Sequence, residues 1–563
     1  MSDVAVLVPA CGDLGTKTLG PAPLFSGDPL ALPVGGRLAI DLVREFYAGA
    51  LPNAQIVLAI DANAFDRTIW RPLAGCTWID VGPTASICDT IQRALDHLDE
   101  TFVVVNPITT IPTACLHPRA AIGLGREAIH RERWSAVVFD EQGRPSFHHR
   151  DAAGRGGGDR PGFPFTGLLS GPRDALQRHL ARIDGTERSD LLHLAERLHA
   201  EGGCEFVFSE WIDAGHRETY VRSRQAAITS RAFNRIAIVD GGTLVEKRSS
   251  ERRRLEAEGR YLSTLPPSLR HHYPTLHHSG PDGAGGWRLV QEYIPFPTLA
   301  ETFLHWDIGP NAWDRILDRL TDMLDAFSHS DDPVFGDGSW LYSAKCRDRR
   351  EQLRLEVANG RLTRLGPLLE REFTVNGRPM PSLERSMETL IERLQPLERG
   401  LRLRRIHGDL CLNNILCDPV LGIVKLIDPR GREDLVTDGD LDSGDAGLDP
   451  AFGDRRYDLA KLNHSFEGLY DAVVNDLFTI DVGDGVIDLQ IHRPPNHRVL
   501  LERFRERILR PTIEEETAAV LTASLFLSML PLHAEDADRT LALASIGSVL
   551  LHEGSMRTIT GEA

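Results

Sequence analysis

Three polar side chains set the chemistry this chain is equipped for. Asp409 and Asn414 lie within Arg405-Ile-His-Gly-Asp-Leu-Cys-Leu-Asn-Asn-Ile-Leu-Cys417, and Asp428 ends the apolar run of Leu426-Ile-Asp-Pro-Arg-Gly431. The spacing His407-x-Asp409-x-x-x-x-Asn414, followed by a second carboxylate, is the residue set a phosphoryl-transfer site needs. One carboxylate accepts a proton from a hydroxyl nucleophile. An amide oxygen and the other carboxylate hold magnesium against the phosphates of a nucleotide.

Those side chains need elements to hold them, and the chain supplies them in a recognisable order. Asn234-Arg-Ile-Ala-Ile-Val-Asp-Gly-Gly-Thr-Leu-Val-Glu-Lys247 reads as two strands joined by Asp-Gly-Gly, a hairpin signal. Ser249 to Leu262 reads as a helix with Ser250 as its cap, and Trp287 to Ile294 as a further strand. From Leu299 to the Asp409 loop the pattern reads mostly helical, and beyond Ile513 it reads as two packed helices around Pro531. Hairpin, lysine, glutamate-bearing helix, strand and His-x-Asp loop follow the order of a protein-kinase-like small lobe and large lobe. Lys247 closes the second hairpin strand, within reach of phosphates. Glu258 lies eleven residues on, inside the helix, where it holds that lysine. Glu292-Tyr293-Ile294 is the expected hinge, with Glu292 and Ile294 offering backbone groups to adenine. His407 is expected to pack and support the loop, and Asp458 to fix the helix that follows. Arg430 either contacts phosphate or pairs with an acidic neighbour.

The N-terminal part has a different rhythm. Val4–Pro9, Gln55–Ile60 and Thr101–Asn106 read as buried strands, with helices over Leu38–Phe46 and Ser86–Leu98 between them. Such alternation predicts a mostly parallel sheet. Ala152 to Gly162 is rich in Gly and Arg and reads as a surface loop.

Composition narrows the partners. The chain has 563 residues, enough for several domains, and a net charge of −18, so it lacks the basic footprint of a free nucleic-acid binder. An acidic surface does not exclude ATP, whose binding depends on local cations and amides. The eight cysteines contain no Cys-x-x-Cys pair, which removes a zinc or thioredoxin-like motif and fits a reducing compartment. The start of the chain has no signal-peptide pattern, and the apolar stretch Leu521–Leu532 is too short to span a bilayer. A cytoplasmic protein without a membrane span is expected.

On the Asp409–Asn414 loop and Ile427-Asp428, residues ~226–563 resemble the aminoglycoside phosphotransferase and choline kinase family. The resemblance implies a bilobal protein-kinase-like α+β domain, with a small lobe over 226–296 and a large lobe over 297–563. It implies ATP and Mg2+ as cofactors and a small-molecule hydroxyl substrate, a sugar, polyol or amino alcohol. Asp409 would be the catalytic base, Asn414 and Asp428 the magnesium ligands, and Lys247 with Glu258 the phosphate-anchoring ion pair. Pro429-Arg430-Gly431 replaces the family's usual aromatic neighbour. Asp-Pro-Arg-Gly, Gly453-Asp-Arg-Arg-Tyr-Asp-Leu-Ala-Lys461 and Leu527-Ser-Met-Leu-Pro-Leu-His533 resemble a bacterial subgroup associated with capsule or other surface-polysaccharide biosynthesis. The acidic run Asp438–Asp449 reads as a solvated insertion that covers the site or selects a cationic substrate.

Residues 1–225 resemble a sugar-phosphate or phosphocholine nucleotidyltransferase, implying a Rossmann-like α/β domain. The similarity rests on Leu7-Val-Pro-Ala-Cys-Gly12 through Gly15-Thr-Lys17, on Leu32-Pro-Val-Gly-Gly-Arg-Leu-Ala-Ile-Asp41, and on Trp211-Ile-Asp-Ala-Gly-His216. Two positions depart from that family. Leu30 stands where a lysine is expected, and Asn106 where a magnesium-binding aspartate is expected. Lys17 and Asp213 are the residual candidates. A degenerate domain that binds a sugar nucleotide or CTP, or only dimerises, is expected ahead of an active one. Three readings follow: a kinase with a silent N-terminal domain, a bifunctional kinase and nucleotidyltransferase, and a non-catalytic nucleotide-binding scaffold.

Overall fold

The structure, a computed structural model, describes residues 3–11, 29–62, 73, 75–117, 119–128, 135–149, 161–183, 191–202, 204–210, 212–215, 219, 224, 234–283, 285–430, 451–494 and 496–557. The Gly15–Lys17 loop, Trp211, His216, most of the Gly/Arg-rich stretch and the acidic run 438–449 lie outside these residues. The chain divides into two compact units, Met1–Arg67 with Pro72–Ala227, and Thr68–Arg71 with Ile228–Ala563.

The first unit is built on a nine-stranded sheet among the described residues. Val4–Pro9 pairs in parallel with Gln55–Ile60 on one side and Phe102–Val105 on the other, and Thr77–Asp80 extends the parallel set. These strands are near-continuous apolar runs because both of their faces are covered; Ala5, Val6, Leu7 and Val8 are all fully buried. Alternate residues Ala5, Leu7, Val103 and Val105 share one core with the helices Ile87–Leu95, Arg173–Leu180 and Leu191–Ala200. Ser86 caps the first of these helices, accepting from the Asp89 N–H. Beyond Val105 the sheet is mixed. The ten-residue strand Phe163–Pro172 runs antiparallel to Phe102–Val105 and pairs antiparallel with Ala121–Gly125 and Ala136–Phe139.

In the second unit, Asn234–Val239, Leu244–Ser249, Trp287–Glu292 and Leu276–Pro281 form a four-stranded antiparallel sheet in that spatial order. The Asp240-Gly241-Gly242 turn closes the hairpin with three successive positive φ values, 53°, 64° and 94°. The helix packed on this sheet runs Arg252–Ser263, shorter than expected. Ser250 is not its cap; Glu251 occupies that position without a side-chain hydrogen bond. The later strand ends at Glu292, so Ile294 lies in the following connection.

Helices Leu299–His305, Pro310–His329, Ser343–Ala358 and Leu383–Leu394 precede the Asp409 loop. The mostly helical expectation for Leu299 to the Asp409 loop misses Phe373–Val375 and Arg378–Met380, which join Phe478–Gly483 and Val486–Ile491 in a second four-stranded sheet. At the C-terminal end, Glu515–Met529 and Ala537–Glu553 pack together across a short turn containing Pro531. Residues Glu515–His533 are long and apolar enough to cross a membrane, yet 67% of that window is buried within the protein, as in a core helix.

Candidate active site

Backbone pairing explains why Asn414 and Asp428 meet. The strands Ile415–Asp418 and Ile423–Leu426 form an antiparallel ribbon in which Ile415 faces Leu426. The Ile427 N–H then donates to the Asn414 carbonyl at 3.0 Å, so the residue before one strand and the residue just past the other share one end of the ribbon. Asp428 holds a left-handed backbone, φ 56°, which is uncommon for a residue with a Cβ and is enriched at functional positions.

Asp409 is tied to the same corner. Asn414 Nδ2 donates to the Asp409 carbonyl at 2.8 Å. The Arg430 N–H donates to the His407 carbonyl at 2.8 Å, which lays the segment after Asp428 against the loop. Gly408 permits this close approach. Its φ is +80°, and a Cβ there would run into the Arg430 carbonyl.

His407 is buried and supports the loop. Its Nδ1 accepts from the Asp409 N–H at 3.2 Å and its Nε2 faces the Ile427 carbonyl at 3.0 Å. An acceptor role on Nδ1 and a carbonyl opposite Nε2 require the neutral Nε2–H tautomer. Burial agrees, pushing the imidazole down to about 4. The unfolded chain binds a proton between about 4 and 6.5 that the folded one refuses. The His407 contribution to stability is therefore present at neutral pH and is lost as the pH falls through that window. Nitrogen-15 spectra should show His407 as an unchanging Nε2–H tautomer from pH 8 down to about 5. Titration near 6.5 would remove it from this role.

Asp458 holds the loop from below, rather than simply fixing its own helix. Its carboxylate accepts the N–H groups of His407 at 2.7 Å and Gly408 at 2.9 Å. Burial raises its pKa to about 7 against the pull of these two donors. Asp458 sits in the first turn of the helix Arg455–Phe466, and Lys461 is three residues further along it. Lys461 Nζ lies 3.0 Å from Asp409 Oδ1, and Arg430 Nε lies 3.0 Å from Asp409 Oδ2. Burial alone would raise the Asp409 carboxyl. These two cations overcome it and hold the group well below the usual carboxylate range.

Lys247 sits on the strand Leu244–Ser249, buried, with its ammonium 2.6 Å from Glu258 Oε1. The same ammonium pairs with Asp428. Burial would lower its pKa, but Asp428 and Glu258 reverse this and hold it above the ordinary lysine value. Glu258 shifts upward, because burial outweighs the lysine beside it. Lys247, Glu258 and Asp428 are thus one contiguous group, and Asn414 and Asp409 are joined to Asp428 through the ribbon end.

Glu292 lies at the end of the inner strand Trp287–Glu292 of the same sheet, and Ile294 just beyond it. The Glu292 N–H donates to Thr275 O, and its side chain accepts from the Thr275 N–H and hydroxyl. The Tyr293 N–H donates to Thr243 O, whereas the buried Ile294 has no hydrogen bond among the described residues.

In the first unit, Asn106 and Asp213 share a corner. Asp213 pairs in register with Thr110, and Asn106 Nδ2 donates to the Pro107 and Thr110 carbonyls at 2.8 and 2.9 Å. Asn106 Oδ1 accepts from the Tyr47 hydroxyl at 3.1 Å, so this fully buried amide is committed to the fold. Asp213 accepts from the Gly215 N–H and the Thr219 hydroxyl. Leu30 is buried, and no cation stands at its position.

Sequence reasoning did not single out Lys461, Lys345 or Tyr457 as site residues. A signal was available in the 457/461 and 458/461 spacings, which set Lys461 beside both Tyr457 and Asp458 on a helix. Lys345, from the helix Ser343–Ala358, donates to the Tyr457 hydroxyl at 3.0 Å.

No protein-family model and no curated protein sequence matches this chain. Solved structures do show similarity. One is a putative glucose-1-phosphate thymidylyltransferase from Bacillus anthracis in complex with sucrose, at 12% identity and a TM-score of 0.33, covering 40% of this chain and 96% of that one. Another is a thermostable mutant of aminoglycoside phosphotransferase APH(4)-Ia in its apo form, at 13% identity and a TM-score of 0.37, covering 56% of this chain and 89% of that one. A ternary complex of a thermostable mutant of the same phosphotransferase with AMP-PNP and hygromycin B matches at 13% identity and a TM-score of 0.37, covering 58% of this chain and 92% of that one. At these identities and scores, function rests on the site itself.

Proposed function

We propose that the second unit is an ATP- and Mg2+-dependent phosphotransferase acting on the hydroxyl of a small molecule. The observation that carries this reading is the joining of Asp409, Asn414 and Asp428 at one ribbon end, with the Lys247–Glu258 pair against Asp428. The donor set suits magnesium. Asn414 Nδ2 is spent on the Asp409 carbonyl, which leaves its amide oxygen, and the Asp428 side chain is 47% exposed. Among the described residues no cluster of three or more His, Cys, Asp or Glu side chains forms a metal cage. An ion at Asn414 and Asp428 would be held by one or two protein oxygens and completed by substrate phosphates. Bound there, magnesium would neutralise charge developing on the transferred phosphoryl group.

The protein's own part is positioning and electrostatics. Asp409 orients the acceptor hydroxyl and takes its proton. The oxygen bonds to the γ-phosphorus, the bond from that phosphorus to the β–γ bridging oxygen breaks, and ADP leaves with the electron pair. Lys247, held by Glu258, compensates phosphate charge, while Glu292 and Ile294 offer backbone groups to adenine. A role in surface-polysaccharide biosynthesis belongs to this reading through the sequence resemblance alone.

For the first unit we propose no nucleotidyl transfer, because the buried Asn106 amide and Leu30 replace the charges that a triphosphate and its metal require. Purified protein incubated with ATP, CTP, magnesium and a panel of alcohols tests both statements. A phosphorylated alcohol, detected by mass, is expected with ATP. Pyrophosphate release that requires CTP and survives Asp409→Asn would make the enzyme bifunctional. No magnesium-dependent nucleotide binding would return it to a scaffold.

Lys247→Met is expected to lower kcat/KM for ATP by about 10²-fold, the usual effect of losing one preorganised charge at a transferring group. The fold should persist, since Glu258 is already shifted toward its neutral acid and can shed its charge. Unchanged ATP kinetics would dismiss this lysine.

A further inference from the structure

The groups around Asp409 that positioning a neutral hydroxyl does not require are cationic. Lys461 and Arg430 each lie 3.0 Å from one of its carboxylate oxygens. Lys345 approaches from a third element, and its ammonium sits 5.1 Å over the Tyr457 ring as well as on the Tyr457 hydroxyl. Among the described residues Lys345 pairs with no carboxylate. Tyr457 links the three electrostatically, since Lys345, Lys461 and Asp409 all act on its hydroxyl. Among the described residues the other nearby acids are engaged elsewhere, Asp428 with Lys247. Asp458 is bound to the His407 and Gly408 N–H groups, and Asp471 accepts from Asn413 Nδ2 at 2.9 Å.

Lys461 and Arg430 on the two oxygens of Asp409, with Lys345 on the neighbouring Tyr457 hydroxyl, bring three cations from separate parts of the chain beside one carboxylate, an arrangement suited to receiving an acid group. We propose that the acceptor is an anionic alcohol, a small polyhydroxyl compound carrying a carboxylate or phosphate. Lys345, Lys461 and Arg430 receive its acid group while one of its hydroxyls meets Asp409. This rests on the phosphotransferase reading and names its substrate class. It also opposes the expectation that the acidic run 438–449 selects a cationic acceptor.

The test is ADP formation by the full-length chain with magnesium and ATP across matched alcohols: sugar phosphates, aldonic and uronic acids, the corresponding neutral sugars and polyols, and amino alcohols. An anionic compound should exceed its neutral counterpart by about 10²-fold or more in kcat/KM, since a site built for a charged group is left with unpaired cations by the analogue lacking it. The phosphate and carboxylate arms identify which acid group is used. Lys345→Met, at a half-buried position, should raise KM for the best anionic acceptor by about tenfold or more, the worth of one charge-assisted hydrogen bond. KM for ATP should stay unchanged, and Lys345→Arg should restore acceptor binding. Preference for a neutral or amino alcohol, no anionic compound turned over above the rate with water, or an unchanged acceptor KM in Lys345→Met would each overturn the proposal. Loss of the underlying reading is distinguishable, because it would appear as absent magnesium-dependent ATP binding before any acceptor is added.

Discussion

Asp409→Asn is expected to cut phosphotransfer by about 10²–10⁴-fold, the range for removing a positioned general base, while Mg·ATP affinity stays close to that of the unaltered protein. The side chain is nearly isosteric, and its backbone carbonyl still receives Asn414 Nδ2. What changes is charge. Lys461 and Arg430 lose their shared carboxylate, and Lys461 is buried. Stranding a buried cation costs about 3–5 kcal/mol in ordinary cases, so the variant should also unfold at lower temperature. The pH dependence has a definite sign. Asp409 is depressed below its ordinary value of 3.8, so its contribution to stability is complete above that pH and is lost on acidification below it. The Asn variant should lack this component of the acid transition. Turnover kinetics, nucleotide titration and thermal melts at two pH values measure all three quantities, and retained turnover would take Asp409 out of the base role.

Gly408→Ala is expected to damage the fold to a comparable degree, through the backbone instead of through charge. A left-handed backbone costs a residue with a Cβ about 1–2 kcal/mol, and overpacking adds about 1–3 kcal/mol. The obstacle is backbone: the new Cβ meets the Arg430 carbonyl oxygen and lies 3.0 Å from its carbon. Relief requires moving Arg430 away from the loop, which strains the Arg430 N–H to His407 O bond and shifts Asp428 with it. Gly400 supplies the control. Its φ is +63° and nothing lies within 4 Å of an added Cβ, so Gly400→Ala should cost the backbone term alone. Denaturant unfolding of the two variants decides the matter. Equal losses would mean that close approach contributes nothing at Gly408.

Much of the candidate site's geometry was legible in the chain, for identifiable reasons. The Asp409, Asn414 and Asp428 spacing is enforced by a local ribbon, and local pairing is what sequence spacing reports. Lys247 and Glu258 came from element order, and a strand followed by a packed helix brings them to 2.6 Å. Lys345 and Lys461 were less visible because their approach depends on how helices pack, which a single sequence does not encode at short range. The second small sheet is a different kind of miss. Its turns, Asn376-Gly377 and Asp484-Gly485, carry positive φ at both residues, and such dipeptides flanked by alternating apolar residues announce a hairpin. The signal was present in Thr479-Ile-Asp-Val-Gly-Asp-Gly-Val-Ile-Asp-Leu489, a stretch to which the expectations above assign no element. In the first unit, Asn106 was flagged by its departure from a carboxylate. That its amide ties Tyr47 to the Thr110 turn needed coordinates.

The ion pair between Lys247 and Asp428 has a consequence for order of arrival. A bare triphosphate can reach the lysine only by evicting the aspartate, which is then left as a naked anion beside a polyanion. A lone divalent ion can claim the aspartate only by stripping the lysine of half its counter-charge. The metal–nucleotide complex meets both needs in one exchange, since each half takes one partner of the broken pair. On the proposed chemistry, this contact makes the two cofactors cooperative and guards the site against nucleotide that comes without its metal.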